Sequence, residues 1–307
     1  MREALRKNKF IYNTYMCIKE NFLCLLSLFS PATVSRIRYR QIIGKRLDLE
    51  HPREFNEKLM WLKLNVWFKN PLVAQCADKV RVRDYVRSLG CEEILVDKIG
   101  VYEKPEMIPW EKLPRQFVLK CNHGAGYNII CTDKQELDVP ETCRKLNRWL
   151  KTDYSLKYAE VQYHKIKPLI LCEKFIHPEH GNVPDDYKVY CFDGKAECIM
   201  VCQERDRGDC KFYFFDRDWN WLKWNISSEK LLSADCKKPE CLDKLLFYAE
   251  KLSKGFPFVR MDFYVAEGRV YFGEMTFTPC ACLDQAYTEL GNQELSQRLR
   301  VSGMRKK

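Results

Sequence analysis

Two β-hairpin signals in the C-terminal half constrain the fold of this chain more than any other feature. In the first, the β-prone segments 187–192 and 196–201 flank an Asp-Gly pair. In the second, segments 258–265 and 269–275 flank a Glu-Gly pair. Glycine readily adopts the positive φ that a tight two-residue turn requires, so such pairs favour hairpins. The sequence therefore predicts that much of this half folds into antiparallel strands.

Sequence patterns outside the two hairpins predict helices and further strands. Residue spacing predicts helices at 72–89, 140–149 and 240–252, and another that begins near residue 54. Buried strands are predicted at 116–121, 128–131 and 169–176. There are no internal repeats or low-complexity tracts. The predicted fold class is α+β, with mostly antiparallel hairpins and a helical, basic N-terminal region.

The composition excludes several classes of protein. The chain has 307 residues, of which 46% are hydrophobic, which suits one large domain or two modest ones. No apolar run reaches the roughly 18 residues that a membrane-spanning helix needs. The 16 cysteines form no CxxC pair, which favours a reducing cytoplasm over a disulfide framework and disfavours zinc.

Positive charge is concentrated at the N-terminus. Residues 1–46 hold ten basic and two acidic side chains, interleaved with aromatic and aliphatic ones. This mixture is typical of a segment resting on the anionic inner face of a plasma membrane. A helix packed on the body with a solvated basic rim explains it equally well, and a cleaved secretory signal is a third interpretation. The basic residues form no nucleic-acid-binding module, so nucleic acid is not an expected partner.

A short glycine loop is the first candidate for chemistry. Neither GxxxxGK[ST] nor GxGxxG occurs, which argues against a Walker ATPase and a Rossmann enzyme. However, a predicted strand ends at Lys120 and is followed by Cys-Asn-His-Gly-Ala-Gly-Tyr-Asn. Glycines allow backbone N–H groups to approach phosphate oxygens, and the lysine supplies positive charge. A purely structural turn between two strands is the simpler alternative.

The second C-terminal hairpin carries the other candidates. Alternation places Arg260 and Asp262 on one face of a strand, and Glu274 and Thr276 on one face of its partner. If those faces coincide, two carboxylates and a guanidinium lie close together. Carboxylate oxygens suit Mg²⁺ bound together with phosphates. An Arg–Asp pair on an exposed sheet face is the alternative.

The order of these features resembles the ATP-grasp superfamily. A lysine at a strand end, a glycine loop, a strand closing on Glu173, a basic residue at Lys188, Arg-x-Asp and Glu-x-Thr follow one another. The runs FNEKLMWLKL, ADKVRVRDYV, LPRQFVLKCNHGAGYNII, DYKVYCFDGK, KLSKGFPFVRMDFY and YFGEMTFTP are similar to the TupA-like, teichuronopeptide-biosynthesis type of ATP-grasp protein from bacterial surface-polysaccharide gene clusters. This resemblance covers residues 54–282.

The resemblance implies a fold and its boundaries. Two α+β subdomains, 117–176 and 177–282, would grip ATP between antiparallel sheets. A helical region at 54–116 and the basic, apolar region 1–53 would precede them, and a basic tail at 283–307 would follow.

The resemblance also implies a role for each site residue. Arg260 and Lys188 are the expected catalytic residues, with Lys188 holding the terminal phosphates. Asp262 and Glu274 would hold Mg²⁺, joined by Thr276, where most ATP-grasp ligases carry Asn. The expected nucleotide-binding residues are Arg83, Lys120, Gly124, Ala125, Gly126, Tyr127, Glu173, Lys174, Phe175, Ile176, Glu179 and Lys188.

The implied activity is an ADP-forming carboxylate–amine ligase with ATP and Mg²⁺ as cofactors. A substrate carboxylate would attack the γ-phosphate, and an amine would capture the acyl phosphate. The expected substrate is a uronic acid or amino acid of a capsule, exopolysaccharide or cell-wall polymer, with a lipid-linked glycan as a further candidate. A sugar kinase or glycosyltransferase-type enzyme on the same fold, and a non-catalytic nucleotide-binding scaffold, are the alternatives.

Overall fold

The computed structural model describes residues 9–178, 181–203, 210–229 and 231–301, with side chains from residue 12 onward. Glu179, the basic residues before residue 9 and those after residue 301 lie outside this part. Among the described helices, none combines the length and apolar character needed to cross a membrane.

The described chain consists of helices and short antiparallel strands. The helices are α1 Lys9–Phe29, α2 Pro31–Ile42, α3 Phe55–Asn65, α4 Pro71–Ala77, α5 Val82–Ser88, α6 Val139–Leu150, α7 Tyr154–Lys157, α8 Leu242–Ser253 and α9 Glu289–Arg298. The strands are β1 Lys98–Tyr102, β2 Phe117–Cys121, β3 Asn128–Cys131, β4 Ile170–Lys174, β5 Asp186–Phe192, β6 Lys195–Gln203, β7 Lys211–Phe215, β8 Trp221–Leu222, β9 Phe258–Ala266 and β10 Arg269–Thr276.

These strands form two antiparallel sheets. A four-stranded sheet has the order β1-β4-β2-β3, and a six-stranded sheet has the order β10-β9-β5-β6-β7-β8. Both predicted hairpins are confirmed, because β5 pairs with β6 and β9 with β10 across two-residue turns. All four turn residues have positive φ, from 49° at Asp193 to 79° at Gly194, as type I′ turns require. The α+β class is thereby confirmed.

A bulge in β10 sets the register on which the candidate site depends. The pairing shifts between Phe272 and Glu274, so that Glu274 lies opposite Asp262 and Thr276 lies opposite Arg260. Directly opposed residues project to the same side of a sheet, and the two predicted faces therefore coincide. Gly273 makes this possible, since a Cβ there would lie 2.7 Å from the backbone oxygen of Asp262.

The predicted single helix at 72–89 is wrong, because the structure contains two helices, α4 and α5, in its place. Asp78 interrupts the helix with an extended backbone at ψ 113°. Its Oδ1 accepts hydrogen bonds from the Val80 backbone N–H and from the Asn122 side chain, each at 2.8 Å. Aspartate side chains compete with helical backbone bonding in this way. The resulting turn presents Lys79 to the space between the sheets.

Each sheet has its own buried apolar cluster. The larger one lies against the six-stranded sheet, where the Phe55 ring of α3 packs 5.5 Å from Phe258 and 6.1 Å from Phe192. The smaller one joins β2 and β4 to Leu146 of α6. A cleft lies between the two sheets, and Lys120 and Glu173 are among the residues that line it.

The bulge generates a stability prediction. We expect Gly273→Ala to lower the free energy of unfolding by about 1–3 kcal/mol, because the new methyl group overlaps the Asp262 carbonyl. Chemical denaturation measures the change. Tyr271→Phe, two residues away on the same strand, is the control and should stay near the wild-type value. Equal stability of Gly273→Ala and wild type would contradict the steric role of this glycine.

Candidate active site

An apolar cleft lies between the two sheets. It encloses about 290 Å³ and is lined by Val118 and Ile130 of the four-stranded sheet and by Tyr264 of the six-stranded sheet. Residues 173–176 form another of its walls. The Lys120 Nζ lies 5.8 Å from the Tyr264 ring centroid, so this lysine spans the space between the sheets. A narrow apolar slot with polar groups at its margin suits a flat aromatic ligand.

Glu173 is held between two cations at the end of this cleft. Arg83 donates to one of its carboxylate oxygens at 2.7 Å, and Lys120 Nζ lies 2.8 Å from the other. Arg83 also donates to the Val96 carbonyl at 2.7 Å. All three charged side chains are at most 13% exposed. Burial opposes the charge of Lys120, but the adjacent Glu173 carboxylate raises the pKa of the lysine above its ordinary value.

A second charged cluster surrounds Asp262 and Glu274. Arg260 donates two hydrogen bonds of 2.7 Å to the Asp262 carboxylate, and Lys188 donates one of 2.9 Å. Lys188 also lies 3.2 Å from Asp186. Thr276 donates to Glu274 at 3.0 Å and accepts a long contact of 3.5 Å from Arg260. Thr276 therefore orients the Glu274 carboxylate.

The electrostatics of Glu274 follow from its neighbours. Burial favours the neutral acid, but Lys79, Lys188 and Arg260 together lower the pKa of Glu274 to about 2. Its side chain is still 33% exposed, in contrast to 5% for Asp262. Glu274 is thus an ionised carboxylate that a ligand can reach.

Lys79 belongs to this cluster although the sequence analysis did not select it. Its Nζ lies 3.3 Å from Glu274 and donates to the Gly124 carbonyl at 2.5 Å, so it joins the glycine loop to the carboxylates. The side chain is 8% exposed. The sequence does contain one indication of this position, because the preceding Asp78 favours a turn over a helix and thus places Lys79 in a loop.

The glycine loop has a buried base and an exposed tip. Asn122, His123 and Gly124 are buried, whereas Ala125 and Gly126 are exposed. Asn122 fixes the base by accepting from the Leu169 backbone N–H at 2.7 Å.

Tyr127 closes the loop by stacking on Trp149 with ring centroids 5.2 Å apart. Gly126 has φ 76°, which favours glycine at the tip. Ala125 lines the same cavity as Arg260 and Glu274, so the exposed tip lies beside the charged cluster.

The remaining predicted residues follow β4. The strand ends at Lys174, two residues earlier than predicted, so Phe175 and Ile176 border the cleft after the strand rather than within it. Lys174 forms an exposed ion pair with Asp97 at 2.8 Å. Glu179, which the sequence analysis expected to bind the nucleotide, lies outside the described residues. Arg83 contacts Glu173 and Val96, and its expected phosphate contact stays a prediction.

The donor set around Asp262 and Glu274 fits a hard divalent cation that shares its coordination with a ligand. The two carboxylates are opposed on paired strands and supply oxygen atoms, which Mg²⁺ prefers. Within the described ranges, no group of three or more His, Cys, Asp or Glu side chains converges as a metal site. Phosphate oxygens and water would therefore complete the coordination.

The Glu173 cluster yields a prediction about stability. We expect Glu173→Gln to cost about 3–5 kcal/mol, because it leaves Arg83 and Lys120 as buried cations without their carboxylate. Lys174→Met, at the next position, breaks an exposed pair and should cost about 1 kcal/mol or less. Urea titrations compare the two variants. Similar losses in both would contradict a buried electrostatic role for Glu173.

Three comparisons relate this chain to known proteins. Solved structures with similar folds include the D-alanine–D-alanine ligase from Bacillus anthracis complexed with ATP, which is 18% identical, with 66% of this chain and 54% of that chain covered and a TM-score of 0.38. The D-alanine–D-alanine ligase from Helicobacter pylori is 17% identical, with 74% and 62% covered and a TM-score of 0.38. The ATP-grasp ligase PsnB, complexed with a phosphomimetic variant of minimal precursor, Mg and ADP, is 14% identical, with 68% and 53% covered and a TM-score of 0.36.

These likenesses are partial, since the chain spans about half the length of the first of these ligases. Among curated proteins no match was found. The family described as TupA-like ATPgrasp matches residues 57–297, which is most of the sequence. This match confirms the ATP-grasp fold expected from the motifs, and the chain belongs to the TupA-like ATP-grasp family.

Proposed function

We propose that this protein is an ATP- and Mg²⁺-dependent carboxylate–amine ligase that forms ADP. The observation that carries the proposal is the convergence of Lys79, Lys188 and Arg260 on the opposed carboxylates Asp262 and Glu274. Such a cluster can hold a triphosphate and its metal. The apolar cleft beside Lys120 supplies a place for the adenine ring.

The nucleotide would lie along the cleft with its base against residues 173–176. Lys120 would contact the α- and β-phosphates, since its ammonium stands between the sheets at the cleft margin. Lys188 would contact the terminal phosphates, exchanging part of its pairing with Asp262 for phosphate oxygens. The tip at 125–126 would close over the phosphates, where backbone N–H groups stabilise negative charge. Arg83 would act through Glu173 as well as on phosphate.

The chain's own residues suit transfer of a phosphoryl group to a carboxylate. Asp262 and Glu274 would hold Mg²⁺, which supplies charge neutralisation at the phosphates when it is bound. The substrate carboxylate attacks the γ-phosphorus, and the bond to the β,γ-bridging oxygen breaks to release ADP.

The acceptor ammonium first releases one proton to solvent, and the neutral amine then attacks the acyl carbon. The bond from that carbon to the phosphate oxygen breaks, inorganic phosphate departs with a second proton from the nitrogen, and an amide remains. Arg260 would stabilise the negative charge that develops on the acyl oxygen. Its donation to Asp262 holds the guanidinium in place for this role.

The substrate we propose is a uronic acid or amino acid of a bacterial capsule, exopolysaccharide or cell-wall polymer. Three observations support a ligase over a scaffold. Asp262 and Glu274 are opposed, Lys188 and Arg260 are both retained, and a cavity of about 370 Å³ adjoins Arg260 and Glu274. A cavity beside the reacting groups gives a second substrate access to them.

The first experiment is ADP release with Mg²⁺ and a panel of uronic acids and amino acids, with the products identified by mass spectrometry. We expect Asp262→Asn and Glu274→Gln to reduce turnover by about 100-fold or more, because each removes a carboxylate that would hold Mg²⁺ at the reacting phosphates. Asp218→Asn, in the exposed turn after β7, should retain wild-type activity.

Circular dichroism would show that the variants fold. Full turnover in both site variants would contradict the proposal. A sugar phosphate as the product would identify a kinase on this fold instead of a ligase.

We also propose that α1 rests on an anionic membrane surface at the inner face of the plasma membrane. Its side chains Tyr15, Ile18, Phe22, Leu25 and Phe29 are 46–81% exposed and recur every three or four residues. Such a stripe occupies one side of a helix. On another side Leu23 and Ser27 are buried, so the helix is anchored to the body. The excess of basic residues in 1–46 complements anionic lipid.

Vesicle co-sedimentation tests this contact. We expect the double variant Phe22→Ser/Leu25→Ser to reduce binding to phosphatidylglycerol-containing vesicles by about tenfold or more, because two apolar side chains no longer enter the lipid. Leu232→Ser removes a 99% exposed leucine outside the helix and is the control. Equal binding of the double variant and wild type would contradict the proposed contact, as would equal binding to vesicles of phosphatidylcholine alone.

A further inference from the structure

The cavity beside the reaction centre has a wall that the nucleotide chemistry does not use. Arg260, Glu274 and Thr276 line it from the six-stranded sheet. The segment 154–163 lines it with Tyr154, Tyr158, Glu160 and Tyr163. Tyrosine rings offer apolar faces to a carbon skeleton or a sugar ring. Glu160 is the charged group on this wall.

Glu160 is fixed in place but incompletely bonded. It is 2% exposed, and its Oε1 accepts from the Thr278 hydroxyl at 2.6 Å. Thr278 accepts in turn from Gln162 Nε2 at 2.8 Å, so the carboxylate is held by a buried chain of hydrogen bonds. Its Oε2 is buried and has no hydrogen-bond partner in the described part of the chain. Buried carboxylate oxygens in proteins are usually hydrogen-bonded, so this oxygen can accept a hydrogen bond from a ligand in the cavity.

The charge of Glu160 is also only partly balanced. Burial raises the pKa of this carboxyl to about 6, while the Thr278 hydroxyl and Lys63 oppose the rise, so the group is mostly ionised at neutral pH. Lys63 is fully buried and donates to the Tyr158 carbonyl at 2.9 Å. No ion pair within 4.0 Å joins it to Glu160 among the described residues. A buried carboxylate in this state favours a cationic partner.

A strained turn shapes the same cavity. Cys280, Ala281 and Cys282 have φ values of 47°, 56° and 62°, a left-handed conformation that is unfavourable for residues other than glycine. Cys280 and Ala281 line the cavity. Backbone held in such a conformation is concentrated at binding and catalytic sites, which supports a ligand in this cavity.

We propose that Glu160 binds the ammonium group of the acceptor substrate, so that this cavity selects acceptors carrying a cationic amine over acceptors carrying a hydroxyl group. The inference rests on the proposed ligase function and specifies its acceptor as an amino acid or amino sugar. An ammonium group supplies both the donor that Oε2 lacks and a positive charge in direct contact with the carboxylate. A hydroxyl group supplies a donor without the charge.

Two pairs of probes isolate this preference. Alanine differs from lactate, and glucosamine from glucose, by an ammonium group in place of a hydroxyl. Binding is measured by saturation-transfer NMR on the full chain at neutral pH, with Mg²⁺ and a non-hydrolysable ATP analogue present. We expect wild type to bind the amine member of at least one pair more tightly. Glu160→Gln should reduce that preference about tenfold or more, because a charge-assisted hydrogen bond is lost.

Glu111→Gln, an exposed carboxylate change, should bind the probes as wild type does. A preference unchanged in Glu160→Gln would overturn the inference, as would no amine preference in wild type with nucleotide bound. Failure of wild type to bind the nucleotide would instead contradict the proposed function. If Glu160→Gln does not fold, Glu160→Asp replaces it. Weakened amine binding in that variant would support the inference, and unchanged binding would overturn it.

Discussion

The chemistry of this site depends on the register that opposes Asp262 and Glu274. Two carboxylates on paired strands repel each other unless cations lie close to both. Arg260 and Lys188 neutralise the first, and Lys79 neutralises the second. These cations come from three separate parts of the chain, so the stability of the opposed carboxylates depends on long-range packing.

The same arrangement would suit the anionic ligand that we propose. Each cation is already held near a carboxylate, and a triphosphate with its metal can replace part of that pairing without creating an isolated charge. Glu173 likewise keeps two cations paired with a carboxylate, because it contacts both Lys120 and Arg83 at the end of the apolar cleft. Charged side chains that are already fixed in place need to move little when negative charge develops on a bound substrate.

Local sequence signals account for most of the fold. The hairpins follow from two-residue turns with positive φ, and the shared face of Arg260, Asp262, Glu274 and Thr276 follows from strand alternation. Both effects act between residues near in sequence. The single helix predicted at 72–89 does not form because the Asp78 side chain bonds to its own turn and to Asn122, and this local bonding overrides the helical spacing of the apolar residues.

The amino-acid sequence alone thus established the antiparallel hairpins, the glycine loop and the face that carries the two carboxylates, because turn chemistry and side-chain alternation are local. Tertiary structure alone brought Lys79 to Glu274 and enclosed Glu160 in the cavity that Arg260 and Glu274 also line. How deeply a charged side chain is buried, and which ionic partner it contacts, depend on the packing of segments that are far apart in the chain. No periodicity encodes such contacts, since they arise only when the sheets and helices pack.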